Sequence, residues 1–405
     1  MEGKITTSSL YVTAEEAAEL LGVSVGTVYA YVKRKNIRTQ KMPGRRASRY
    51  WREDVERAML RSGASVSSDE PSDLVRETTI TAITEEGHYY RGQSAVALSE
   101  TASLESIASL LWQTDQALAF PSAAPRAPSA LKTILPIYNG MSAVDRAFAT
   151  FPVIEFENPR SYDLSPSGYT RTAGELMRWF AALMIGRREP TSEPLHEVIA
   201  SSSNEPQLYS DLVRRLLVLS ADHELDPTTY AVRAVANTGA TPYRTILAGF
   251  CATQGRRLAY GRIEALGRLL EEIAASATPK DVILARIRDG ETVPGFGSKR
   301  YAQGDPRALA LLNAMKHALD GDVPLQRLDA AISVMHDAVG LAPDLPLINL
   351  FLGKRLNLPR QEGIVGRLGR IAGWIAHAME QYHGTALVRP RAAYIGELPR
   401  NEIST

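Results

Sequence analysis

Between Lys33 and Arg52 lies the segment whose residue types most plainly suit chemistry: Lys33, Arg34, Lys35, Arg38, Lys41, Arg45, Arg46, Arg49 and Arg52, with no acid until Glu53. Cations at that density neutralise several phosphates and give strongly salt-dependent binding. Taken alone, the same run reads equally as a solvated basic loop. Further along, His223 is spaced four, three and four residues along from Leu212, Leu216 and Leu219, which predicts a histidine on the apolar face of a helix. Arg370, Trp374 and His377 share one helical face within 369–381, and Arg370 by itself reads as a buried ion-pair partner. Pro294-Gly-Phe-Gly297 reads as a tight loop and Asp305-Pro-Arg307 as a helix start. Cys251 is the only cysteine, which excludes an intramolecular disulfide and a thiolate metal cluster. Lying in the apolar run Ile246–Ala252, it reads as a small buried hydrophobe.

These residues need elements to position them. Thr13-x-x-Glu16 is a capping box that opens a helix with Ala17, Leu20 and Leu21 on its apolar face. Gly22 permits a turn, and Ser24 caps a second helix, Val25–Arg34, which buries Val28 and Val32. Two short helices joined through glycine have the geometry of a helix-turn-helix. The stretch after it, SGASVSSDEPSD, is rich in Ser, Asp, Glu, Pro and Gly, the signature of a flexible linker. Alternation in Val75–Ile83 followed by Glu85-Glu86-Gly87 predicts one hairpin. Beyond it the pattern is long helical periodicity broken by Pro and Gly, so the chain reads as mostly α. The domains expected are 1–61, a linker 62–73, and 74–405. A formal net charge of +1 gives no global preference for nucleic acid or membrane, so any such preference must be local. The polar N-terminus and the lack of a long apolar run predict a cytoplasmic protein without a membrane span.

Residues 11–60 resemble the MerR and excisionase type of winged helix-turn-helix. The matching residues are Thr13 with Glu15-Glu16-Ala17-Ala18, Leu21-Gly22-Val23, Thr27-Val28-Tyr29, Arg49-Tyr50 and Asp54-Val55. The resemblance implies duplex DNA as partner. A second helix carrying Thr27, Tyr31 and Arg34 would lie in the major groove, and a wing carrying Arg45, Arg46 and Arg49 over the backbone. A module retained for protein contacts is the alternative.

The longer segment resembles citrate synthase through five ordered motifs. They are Tyr90-Arg91-Gly92; Ala221-Asp222-His223-Glu224 with Arg233, Gly239, Tyr243, Gly249 and Gly255; Pro294-Gly-Phe-Gly297 with Asp305-Pro-Arg307-Ala308; the segment 369–381; and Arg389-Pro-Arg391 with Tyr394. The implied fold is an almost wholly helical dimer with a large domain and a smaller one, roughly 265–365. The resemblance further implies that His223, Arg307, Arg370 and Arg389 hold the carboxylates of oxaloacetate or citrate, Arg389 acting across the subunit interface. Pro294, Gly295, Phe296 and Gly297 would form a loop for coenzyme A. An acyl-CoA is then the one cofactor-like ligand expected, with nothing permanently bound.

At three positions the sequence departs from that pattern. Leu258, or Ala259 if the register slides by one, stands at the first catalytic histidine, Ser298 at the second, and Pro346 at the catalytic aspartate. Leu and Pro carry no proton donor or acceptor, and a serine hydroxyl cannot shuttle protons as imidazole does. Asp344 is the nearest spare carboxylate. The expectation is a catalytically impaired homologue that binds a di- or tricarboxylate and couples it to DNA or a partner. Two alternatives stand beside it: an active acyltransferase of the tricarboxylic acid cycle type, and a regulatory subunit, as homodimer or heterodimer, for a competent paralogue.

Overall fold

The computed structural model describes residues 11–34, 37, 39–41, 48–51, 55, 77–255, 260–298, 301, 304–358, 363–384 and 387. They divide into an N-terminal unit, Met1–Pro71, and a large unit, Ser72–Thr405.

In the N-terminal unit, strand β1 (Tyr11–Val12) leads into α1 (Ala14–Leu21), then α2 (Val25–Arg34), β2 (Thr39–Lys41) and β3 (Ser48–Trp51). The predicted capping box is present. The Glu16 amide donates to Thr13 Oγ1 at 3.2 Å, and the Thr13 amide donates to the Glu16 carboxylate at 2.8 Å. β3 is the central strand of an antiparallel sheet of order β1-β3-β2. Ala17, Leu21, Val28, Ile37, Tyr50 and Val55 form the core, with Leu20 and Val32 packed against it.

The large unit opens with the predicted hairpin, β4 (Thr81–Ile83) and β5 (His88–Tyr90), to which a third strand β6 (Gln93–Ser94) is added. Helices follow without further strands among the described residues: α3 (Ala95–Ser99), α4 (Leu104–Trp112), α5 (Gln116–Ala119), α6 (Leu131–Ile137), α7 (Ala143–Glu157), a 3-10 turn (Pro159–Tyr162), α8 (Pro166–Met184) and α9 (Leu195–Ala200). Next come α10 (Pro206–Leu219), α11 (Pro227–Ala236), α12 (Pro242–Thr253), α13 (Tyr260–Ala275), α14 (Pro279–Arg288), α15 (Pro306–Ala318), α16 (Val323–Val339), α17 (Leu345–Lys354) and α18 (Val365–Gly384). Many start on one local code, an Asp, Ser or Thr cap followed by proline in the first turn, as in Asp226-Pro227, Thr241-Pro242 and Asp305-Pro306. The side-chain oxygen satisfies an orphan amide, and proline gives up only an amide that had no partner.

Helix α18 is the centre of the core. It packs against α4, α8, α10, α11 and α12, and Trp374, Ile371, Ile375 and Ala378 are buried. A separate apolar cluster, Leu269, Ile273, Ile283, Val293, Ala331 and Met335, holds α13, α14 and α16 together. Cys251 corrects one expectation. It is exposed, because α12 turns Tyr243, Ile246 and Phe250 inward and leaves the residue after Phe250 on the outer side. No helix among the described residues is long and apolar enough to cross a membrane.

Candidate functional site

A cavity of about 610 Å³ opens in the large unit where segments remote in sequence meet. The connection from α10 to α11 supplies His223 and Asp226, and α13 supplies Arg262. Gly297, Ser298, Asp305 and Arg307 come from the loop before α15 and from its first turn. Asp344 and Pro346 come from the start of α17, and Arg367, Arg370 and Trp374 from α18. Asp226, Asp305 and Asp344 are the N-caps of α11, α15 and α17, so three helix starts, with their partial positive charge, border the cavity.

Glycine brings the first two walls together. A Cβ on Gly369 would sit 2.5 Å from the Leu217 carbonyl oxygen, and one on Gly373 would sit 2.6 Å from that of Ala221. The Gly373 amide instead donates to the Ala221 carbonyl at 2.9 Å. This close crossing lodges Asp222 against α18 with no solvent exposure. Its Oδ1 accepts from Arg370 Nη1 at 3.2 Å, and its Oδ2 from His377 Nε2 at 3.1 Å and the Glu224 amide at 3.0 Å. Arg233 donates to His377 Nδ1, so the His377 proton sits on Nε2, toward Asp222. Burial by itself would push the Asp222 carboxyl up. His377 and Arg370 outweigh it and hold the group well below the usual carboxylate range.

Arg370 also donates from Nη2 to Asp226 Oδ2 and to Thr229 Oγ1, both at 2.9 Å, and its guanidinium lies 5.9 Å from the centre of the Trp374 ring. Arg307 makes a two-pronged pair with Asp305, at 3.0 and 2.8 Å, and both are buried. Neither arginine is bare: each already rests on aspartate, and what each offers a ligand is its remaining N–H capacity. The reading of Arg370 as a buried ion-pair partner holds.

His223 is not on a helix face. The helix α10 ends at Leu219, and His223 follows in the connection, where its ring lies 5.4 Å from that of His88. The apolar spacing continued past the real helix end, which Ser220 terminates. Burial, then the charges of Arg307 and Arg370, push the His223 pKa down to about 4. His88 donates from Nε2 to the Asp222 carbonyl at 2.9 Å, and its Nδ1 faces the Tyr301 hydroxyl at 3.3 Å. Burial, then Arg307 and His223, lower its pKa well below the ordinary value.

Ser298 and Pro346 reach the same wall because their two loops are stitched together. Gly297 N–H donates to the Ala342 carbonyl and Asp344 N–H to that of Gly295, both at 2.9 Å, and Phe296 bridges Pro343. Gly295 and Gly297 have φ of +87° and +80°, values that disfavour a side chain. Of the proposed coenzyme loop, Gly297 lines the cavity, while Pro294, Gly295 and Phe296 form the turn leading to it. Ser298 Oγ accepts from the Tyr301 amide at 3.3 Å. Asp344 lines the cavity too, but its Oδ1 accepts from the Leu347 amide at 3.0 Å and its Oδ2 pairs with Arg262. Burial raises its carboxyl pKa, with Arg262 opposing. Leu258 and Arg389 lie outside the described residues.

Residues 73–391 match the family described as citrate synthase, C-terminal domain. The chain belongs to the citrate synthase family. It is 26% identical to citrate synthase 2 of Bacillus subtilis over 353 residues, spanning 79% of this chain and 93% of that one. It is likewise 26% identical to a 2-methylcitrate synthase of Mycobacterium tuberculosis over 342 residues, 77% and 85% of the two chains. In fold it is similar to citrate synthase from Thermoplasma acidophilum, solved with carboxymethyl coenzyme A and oxaloacetate: TM-score 0.65, 19% identity, covering 81% of this chain and 96% of that one. Citrate synthase from Thermotoga maritima gives a TM-score of 0.63 at 17% identity, covering 83% and 97%.

Set against the citrate synthase resemblance drawn from the sequence, the cavity gathers His223, Arg307 and Arg370 with Ser298 and Pro346. Arg262, Arg367 and His88 were missed. Arg367 carried a usable signal, lying three residues before Arg370 on one helix; His88 and Arg262 carried none. At the other end of the chain, residues 11–62 match a helix-turn-helix domain. There Thr27, Tyr31 and Arg34 ride on α2, and Arg49 is exposed on β3 opposite Gln40. Arg45 and Arg46 lie outside the described residues.

Proposed function

We propose that this citrate synthase-family protein binds a di- or tricarboxylate, oxaloacetate or citrate, without condensing it, and couples that binding to DNA or to a partner through its helix-turn-helix. One observation carries the reading. The cavity keeps His223, Arg307 and Arg370 together, while each aspartate on its described wall is already committed to a helix cap and to an arginine. His223 is the sole imidazole among the described lining residues, and it is neutral near pH 7. Ser298 and Pro346 stand where the family pattern calls for an imidazole and a carboxylate. Each general acid–base role is worth about 10²–10⁴-fold, so their joint loss leaves positioning and little else. Guanidinium groups suit carboxylates through paired N–H donors, and three bordering helix starts favour an anion.

Oxaloacetate, with which the Thermoplasma enzyme was solved, is a natural first probe. A dimer fits this reading, since the role assigned to Arg389 requires a second subunit. The test is a condensation assay with acetyl-CoA and oxaloacetate beside a thermal-shift titration. The expected result is no release of coenzyme A, with melting temperature rising as citrate or oxaloacetate is added. Saturation to 100 times the dissociation constant adds about 2.7 kcal/mol. Turnover in the ordinary range of about 1–10³ s⁻¹ would overturn the reading. It would favour the acyltransferase alternative, for which the raised carboxyl of Asp344 is the observation to pursue.

A further inference from the structure

Of the four arginines on the described cavity wall, three rest on carboxylates: Arg262 on Asp344, Arg307 on Asp305, and Arg370 on Asp222 and Asp226. Arg367 rests on none among the described residues. It makes no side-chain hydrogen bond or ion pair with any described residue, and burial alone pulls its pKa down, to about 10. None of its nitrogens is among the fully buried, partnerless polar atoms of the described residues, and Arg367 lines the cavity. A largely buried cation without an anion is costly, and a bound anion that pairs with it offsets that cost.

We propose that Arg367 is the principal anchor for a carboxylate of the cavity's ligand, which makes that ligand a small tricarboxylate in preference to a dicarboxylate. The proposal rests on the carboxylate-binding reading above and deepens it. Arg367 and Arg370 are three apart on α18, so their side chains leave neighbouring points of one face. Arg367 also follows a glycine packed between two other lining residues of the cavity, Ser220 and Asn349. A Cβ on Gly366, its neighbour, would lie 3.1 Å from both Ser220 Oγ and Asn349 Nδ2. Arg370 and Arg307 have spent part of their capacity on aspartate, whereas Arg367 has spent none on any described residue. The unpaired positive charge asks for one more carboxylate than Arg307 and Arg370 alone would hold.

The full-length protein and two variants, Arg367→Met and Arg367→Lys, separate the outcomes by calorimetric titration and melting temperature. Citrate should bind the wild type more tightly than oxaloacetate. Arg367→Met should weaken citrate at least tenfold and oxaloacetate less, and should raise the melting temperature of the ligand-free protein, because an uncompensated buried charge is gone. Arg367→Lys should melt near the wild type yet bind citrate more weakly, having lost the paired donors. A structural arginine would behave in the opposite way: ligand-free Arg367→Met would melt lower and citrate affinity would stay unchanged, and either result overturns the proposal. Loss of coenzyme A binding with citrate binding kept would assign the arginine to a phosphate and overturn it as well. If the wild type binds neither citrate nor oxaloacetate, the proposed function falls; if it binds both and Arg367→Met binds both equally, only this inference does.

Discussion

Replacing Asp222 by Asn removes one charge from the network that holds Arg370 and changes almost nothing in shape. The carboxylate accepts on one oxygen from Arg370 and on the other from His377 and the Glu224 amide, fully shielded from water. An amide offers one accepting oxygen and turns its NH₂ toward a donor on the other side. At least one charge-assisted hydrogen bond is lost and one buried donor is left facing another. A hydrogen bond to a charged group contributes about 1.5–3 kcal/mol, and removing one partner of a buried pair costs about 3–5 kcal/mol. Arg370 keeps Asp226, so the lower figure applies, roughly 3 kcal/mol. Unfolding entropy is about 2.1 cal/mol/K per residue, so each kcal/mol moves the midpoint of a unit as long as Ser72–Thr405 by about 1.5 °C. Scanning calorimetry at neutral pH should therefore show a drop of about 4 °C. A double-mutant cycle with Arg370→Met should return a coupling of at least ~1 kcal/mol. A drop below 1 °C, or additive effects of the two changes, would refute the claim that Asp222 positions Arg370.

The histidines at the site predict a pH dependence. With His223 held near 4 in the folded protein and His88 also depressed, the unfolded chain takes up these protons first. Their contribution is complete above about pH 6.5 and declines as pH falls toward 4; chemical denaturation showing rising stability over that fall would contradict it. An anion beside His223 raises its pKa, so citrate binding at pH 5–6 should draw protons from solution, read as a binding enthalpy that changes with buffer; no change would remove His223 from the binding site. Gly373→Ala would drive a Cβ to 2.1 Å from Asp222 Oδ1 and 2.6 Å from the Ala221 carbonyl. It should cost at least the ~1–3 kcal/mol of an overpacked core, visible as lowered melting temperature or failure to fold. Replacing Arg45, Arg46 and Arg49 with Ala should weaken DNA binding across sequences and flatten its salt dependence by up to about 0.9 for each phosphate no longer neutralised. Unchanged binding, or none at low salt, would point the N-terminal unit to protein contacts.

The capping box at Thr13, the sheet entrance at Thr81–Tyr90 and the proline-initiated helices were legible in the sequence because each is a local code: a side chain three residues from the amide it caps, alternation of period two, a proline where no amide is needed. Ordered motifs likewise foretold that His223, Arg307 and Arg370 would meet. Two readings failed where local pattern outran its element. His223 continued an apolar spacing beyond the end of α10, and Cys251 shared an apolar run whose inner face was taken by its neighbours.

What the sequence by itself determined is the family, the helical architecture and the list of side chains available for chemistry. Which of those side chains are already spent was decided only by tertiary structure. Charge pairing depends on partners brought together from remote segments, such as Asp222 with Arg370 and Asp344 with Arg262. The cost or benefit of each charge then depends on how much water the packing leaves around it. Arg367 and Arg370 are the same residue type one turn apart on one helix. Only the fold gives one of them two aspartates and leaves the other, on the same cavity wall, with none among the described residues.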